Sequence, residues 1–170
     1  MSKCNSVIGI DIGGVIISRS NDNTDTSFFG GNYLCTTPCE GAFESIKRMR
    51  QSGFIVYLVS KCGESIEKKT RHWLAHHDFY KEVGMPEENL RFCRTRPEKS
   101  GICREIEASY FIDDRLEVLS YLETVPNKFL LNSVPKEVRK FGQYLAEVTV
   151  VQSWPELTGH LLKFSPLEMR

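Results

Sequence analysis

The chain alternates short apolar runs with amphipathic stretches. Val7-Ile8-Gly9-Ile10 runs into Asp11, then Gly13-Gly14, then a second apolar run, Val15-Ile16-Ile17. An apolar run closed by glycine reads as a buried strand ending in a tight turn. Residues 18–31 are rich in Asn, Asp, Thr, Ser and Gly, so they read as a loop that extends to about Pro38. Phe28, Phe29 and Tyr33 interrupt it, and such long loops often fold over a site. Residues 38–50 have helical spacing, with Ala42, Phe43, Ile46 and Met49 on one face. Phe54-Ile55-Val56-Tyr57-Leu58-Val59 is β-branched and aromatic, a second buried strand that finishes at Ser60-Lys61.

The same alternation continues. Residues 64–77 predict a helix with Ile66, Trp73 and Leu74 inward, and residues 79–86 lead into a loop. Residues 90–93 predict a third strand and residues 102–108 a helix. Tyr110-Phe111-Ile112 is a fourth strand running into Asp113-Asp114-Arg115. Residues 116–123 are helical, 128–131 a fifth strand, and 134–145 include a helix opened by Pro135. Residues 148–151 suit a short edge strand, and Trp154 starts a last helix. Strand and helix in turn predict an α/β fold with a mostly parallel sheet covered on both faces, three layers in all.

Composition narrows the function classes. A length of 170 residues predicts one domain, 1–170, with residues 16–39 as a flap or small insertion. Lys plus Arg and Asp plus Glu both number 22, so net charge points to neither a nucleic-acid nor a membrane partner. No apolar run approaches the roughly 20 residues that span a bilayer. The first residues enter the first strand directly, with no signal-peptide pattern, so a cytoplasmic protein is expected. Cys4, Cys35, Cys39, Cys62, Cys93 and Cys103 are scattered and read as reduced thiols. Cys35 and Cys39 have a zinc-like spacing that no second pair completes. His72 and His76 share a helix face without a third ligand.

The strand ends carry the chemistry. The first ends at Asp11 and the second at Ser60-Lys61; the third is followed by Arg94, Arg96 and Lys99, and the fourth ends at Asp113-Asp114. In a parallel sheet these ends lie along one edge, where ligands bind. Taken singly, Asp11 suits a turn cap, Asp113-Asp114 a solvated turn and Lys99 a surface position. Taken together, the carboxylates repel one another unless a cation binds, and hard oxygen ligands favour magnesium. Basic groups and a hydroxyl around them suit a phosphate. Asp11 is then a candidate nucleophile that forms an aspartyl-phosphate.

These stretches resemble, in order, the four motifs of the haloacid dehalogenase (HAD) superfamily of phosphohydrolases. Ile8-Gly9-Ile10-Asp11-Ile12-Gly13-Gly14-Val15 resembles the first, Leu58-Val59-Ser60 the second, Lys99 the third and Phe111-Ile112-Asp113-Asp114 the fourth. The resemblance implies a Rossmann-like sheet in the order 3-2-1-4-5 and Asp11 as nucleophile. Ser60, Lys61 and Lys99 would hold phosphate. Asp11, the Gly13 carbonyl, Asp113 and Asp114 would hold Mg2+. It also implies an open site without a large cap, a phosphorylated substrate, small or macromolecular, and room for an oligomer.

One departure divides the readings. The superfamily's phosphatases usually carry a second aspartate two residues after the nucleophile, as general acid and base; here that residue is Gly13. Such a group is worth roughly 10²–10⁴-fold in rate. Asp22 and Asp25, in the following loop, are candidates for a proton relay or for simple solvation. The first reading is a magnesium-dependent phosphohydrolase. The alternative is a catalytically impaired relative that binds a phosphate-bearing ligand or a protein partner. The first stretch also resembles the phosphate loop of an actin-like sugar kinase, but that fold needs two large halves and this chain is too short.

Overall fold

The computed structural model describes residues 6–19, 28 and 30–162. Six parallel strands form one sheet in the order β3-β2-β1-β4-β5-β6. They are β1 (Val7–Ile10), β2 (Ile55–Lys61), β3 (Leu90–Cys93), β4 (Tyr110–Asp113), β5 (Asn127–Leu131) and β6 (Thr149–Val151). The helices are α1 (Ala42–Gln51), α2 (Glu64–His76), α3 (Phe79–Val83), α4 (Glu98–Glu105), α5 (Leu116–Tyr121), α6 (Pro135–Lys140) and α7 (Trp154–Leu162). The expected order is present, and the edge segment joins it as β6.

Alternating side chains along the strands feed two cores, one on each face. Ile8, Ile10, Val56, Leu58 and Ile112 pack with Ile46, Trp73, Phe79 and Leu157 of α1, α2, α3 and α7. Val59, Phe111 and Leu130 pack on the other face with Cys103, Leu116 and Leu119 of α4 and α5. Gly9 matters to this second face: a Cβ there would lie 2.6 Å from the Phe111 ring. The bare strand lets the ring lie against β1.

Both tryptophans fasten the segment that follows β1. Trp73 Nε1 donates to the Thr36 carbonyl at 2.9 Å, and Trp154 Nε1 to the Val15 carbonyl at 2.8 Å. The segment's two ends also pair with each other, Ser18 N donating to Thr37 O at 3.0 Å and Cys39 N to Ile16 O at 2.7 Å. The neck of the expected flap is therefore pinned. Cys4, Asp22, Asp25 and Phe29 lie outside the described residues.

One expected boundary moves, and two loosely assigned stretches take definite form. The helix expected at 102–108 is α4, Glu98–Glu105. Its first turn, Glu98-Lys99-Ser100-Gly101, is polar and shows no apolar period. It forms because Glu98 Oε1 accepts from Thr95 N and Thr95 Oγ1 at 3.1 and 2.8 Å. The helix expected within 134–145 is α6, Pro135–Lys140, and it gives way to a 3-10 helix, Gly142–Glu147, where glycine disfavours continuation. Residues 79–83, expected only to lead into a loop, form one helical turn. It is bracketed by the left-handed residues Asp78 and Gly84, and is too short to carry a period.

Candidate active site

The carboxyl ends of β1, β2 and β4 and the first turn of α4 surround a cleft of about 470 Å³. Asp11 follows β1 directly, and its backbone N–H still donates to the Ile112 carbonyl of β4 at 2.9 Å. Asp113 closes β4. Lys99 enters from α4, only 2% exposed, and its Nζ donates to Asp11 Oδ1 and to Asp113 Oδ2, both at 2.9 Å. The ammonium also lies 5.7 Å from the centre of the Phe111 ring. The ring that Gly9 admits thus forms part of the lysine's surroundings.

Asp114 points to the same floor. Ligand oxygens of Asp11, Asp113 and Asp114 all lie within 4.8 Å of one another, and all three residues are buried. This is a hard, anionic oxygen set of the kind that suits Mg2+. Arg19 pairs with Asp114 Oδ2 at 3.1 Å and also donates to the Asn132 carbonyl. Asn132, left-handed after β5, donates through Nδ2 to Gly14 O at 3.2 Å. Arg115 N donates to Asp113 Oδ1 at 3.0 Å, so that carboxylate is held on both oxygens.

Charge follows from this geometry. Burial and then the charge of Asp113 raise Asp11 above the usual carboxylate range, against the pull of Lys99. Burial with the charges of Asp11 and Asp113 pushes Asp114 up to about 9, despite Arg19. Burial works against the Lys99 ammonium, but Asp11 and Asp113 outweigh it and hold its pKa above the ordinary lysine value. Three carboxylates against two cations leave the floor one charge short of neutral, which adds to burial in raising Asp11 and Asp114. Two thiols near the cleft are poor nucleophiles. Cys62 lines the cleft and is raised mainly by burial, and Cys39 is pushed to about 11 for the same reason.

Of the residues anticipated from sequence, Asp11, Gly13, Ser60, Lys61, Lys99, Asp113 and Asp114 all line this cleft. Ser60 is buried on its wall and Lys61 is exposed at its rim. Arg96 lines it too, paired with Glu117 at 2.9 Å. Arg94 is directed elsewhere, to Glu67 at 3.0 Å and the Cys62 carbonyl at 2.8 Å. Arg19 and Asn132 were not anticipated. Arg19 is the lone basic residue in the polar stretch 18–31, a signal that was available. Asn132 carries only a turn signal.

The two glycines of the first turn differ. Gly14 has φ +79°, and a Cβ there would lie 2.5 Å from Asp114 Oδ2. Gly13 is exposed, and a Cβ there would meet nothing within 4 Å.

No protein-family model and no curated protein matches the chain. Solved structures do. D,D-heptose 1,7-bisphosphate phosphatase from B. bronchiseptica, complexed with magnesium and phosphate, is 17% identical with a TM-score of 0.63, over 93% of this chain and 98% of that one. A HAD family hydrolase from Deinococcus radiodurans R1, with bound phosphate and sodium, is 13% identical with a TM-score of 0.63, over 94% and 96%. A phospho-aspartyl intermediate analogue of phosphoserine phosphatase is 12% identical with a TM-score of 0.59, over 92% and 98%. The chain therefore has the HAD-type Rossmann-like fold. Among the described residues, no helix is long and apolar enough to cross a membrane.

Proposed function

We propose that the chain is a magnesium-dependent phosphohydrolase that works through an aspartyl-phosphate on Asp11. The observation that carries this reading is the buried floor, where Lys99 bridges Asp11 and Asp113 beside Asp114. A carboxylate buried next to like charges is costly, so its retention at a cleft argues for use. Asp11 attacks phosphorus. Lys99 orients the attacking carboxylate and, with Ser60 and Lys61, meets the phosphoryl oxygens. Asp11, Asp113, Asp114 and the Gly13 carbonyl would hold Mg2+, which supplies positive charge against the phosphoryl group. The names of the similar structures, a magnesium and phosphate complex and a phospho-aspartyl analogue, support the same chemistry. In this reading the chain forms one domain, 1–170, with residues 16–39 as a small flap.

Gly13 favours a second reading, a protein that binds a phosphate-bearing ligand without turning it over. The deciding experiment is p-nitrophenyl phosphate turnover with and without Mg2+, for the wild type and Asp11→Asn. Metal-dependent turnover lost in Asp11→Asn is the expected result. Absence of turnover in the wild type, with Mg2+ and phosphate still bound in calorimetry, establishes the second reading instead.

A further inference from the structure

Among the described residues, no side chain of the cleft is free to protonate a leaving group. Position 13 has no side chain, and the described lining contains no His, Glu or Tyr. The only carboxylates of that described lining are the three at the floor, which the proposed metal would hold as anions. Lys99 is committed to Asp11 and Asp113, and Cys62 sits in a setting that favours the neutral thiol. With no such donor among the described residues, the site favours a leaving oxygen that departs as a stable anion.

The wall above the floor then says which anion. Ile66 and Thr70 are one turn apart on α2 and both face the cleft, and Phe28 and Ile17 join them there. Phe28 is not a loose surface aromatic. Its ring meets Tyr33 edge-on at 6.0 Å, and Tyr33 Oη is hydrogen-bonded to His72 Nδ1 of α2 at 2.6 Å. The apolar strip is therefore tied to the helix beneath it. Acyl phosphates and phosphoanhydrides also leave without protonation, but their leaving groups are polar or charged and lose hydration on such a wall. A phenol both leaves readily and covers apolar surface.

Building on the phosphohydrolase reading, we propose that the site selects aryl phosphate monoesters, with the phosphoryl group on the floor and the ring along Phe28 and Ile66. An Asp11 carboxylate oxygen bonds to phosphorus while the bond from phosphorus to the aryl oxygen breaks, and the phenolate leaves with the electron pair. Water then attacks the same phosphorus and the bond to Asp11 breaks. The Asp11 carboxylate returns, the hydroxide ends on inorganic phosphate and the proton passes to solvent.

The test compares kcat/KM, with Mg2+, for p-nitrophenyl phosphate, phenyl phosphate, acetyl phosphate and glycerol 3-phosphate. p-Nitrophenyl phosphate should exceed phenyl phosphate, exceed acetyl phosphate at least tenfold, and exceed glycerol 3-phosphate by about 10³-fold. In Phe28→Ala and Ile66→Ala, the aryl esters should lose about tenfold more than acetyl phosphate. That ratio is taken within one variant, so partial misfolding cancels. Acetyl phosphate turned over as fast as p-nitrophenyl phosphate, with neither wall variant separating them, overturns the aryl assignment while the phosphohydrolase reading stands. Glycerol 3-phosphate turned over as fast as the aryl esters overturns it too, because a proton donor is then at work. No turnover of any of the four removes the phosphohydrolase reading and this one with it.

Discussion

Gly13 and Gly14 are neighbours with opposite tolerances. At Gly13 a side chain meets open space, so Gly13→Asp restores a carboxylic acid without disturbing the turn. Turnover of glycerol 3-phosphate should rise about 10²-fold, measured by phosphate release. An unchanged rate in a folded variant would show that the missing acid is not what limits the enzyme. Gly14→Ala, by contrast, places a Cβ at φ +79° against Asp114. It should cost at least about 1 kcal/mol in denaturant unfolding, before any effect on turnover. Lys99 gives a third case. Lys99→Met leaves Asp11 and Asp113 buried without their shared cation, a loss of about 3–5 kcal/mol. Because the stranded carboxylates are relieved by protonation, the thermal midpoint of Lys99→Met should recover toward acid pH. A deficit independent of pH would assign the loss to packing instead. Asp11, Lys99 and Asp113-Asp114 were legible in the sequence because each sits where an apolar run ends or a polar turn begins. Arg19 and Asn132 were marked only by a lone charge and a turn, because what they do depends on a meeting between residues 113 positions apart.

Elements meet the site through a few contacts that periodicity does not reveal. The N-terminus of α5 is closed from a distance, with Glu137 of α6 accepting from Leu116 N and Glu117 N at 3.0 and 2.8 Å. Glu137→Ala should therefore lower stability by about 1–2 kcal/mol, read from urea midpoints. An effect within error would mean that water replaces the carboxylate at no cost. The strand and helix sequence was legible because long apolar runs and 3.6-residue stripes cover most elements. The exceptions are instructive. The first turn of α4 is held by Thr95 and Glu98 rather than by an apolar face, and α3 is a single turn set by two left-handed residues. Gly9 read as part of an apolar strand. Its purpose, admitting the Phe111 ring beside Lys99, belongs to the pairing of β1 with β4.

Across the whole molecule, the parallel order placed every strand end on one edge, and that much followed from the alternation alone. The edge's charge makes the fold sensitive to pH. Asp11 and Asp114 bind protons more tightly in the folded state, Asp114 from the ordinary 3.8 up to about 9. In that window the folded state carries more protons than the unfolded one, so metal-free stability falls as pH rises. The thermal midpoint without metal should therefore decline from about pH 5 to pH 9, and Asp114→Asn should flatten the slope. Mg2+ should raise the midpoint most at the alkaline end, the added stability being about 2.7 kcal/mol at a hundredfold excess over Kd. A midpoint that Mg2+ leaves unmoved at every pH would argue against a metal at this floor.

The bridge made by Lys99 also bears on how the protein reaches its folded state. Its two partners lie 88 positions back and 14 positions ahead in the chain. Joining them requires β1 and β4 to have docked side by side, a long-range closure of the slow kind. Until then the amine is an ordinary exposed lysine, open to acylation. Pulse labelling with an amine-reactive reagent during refolding should modify Lys99 early and spare it only when the slowest major phase completes. One side chain then serves as a clock for the closure of the central sheet.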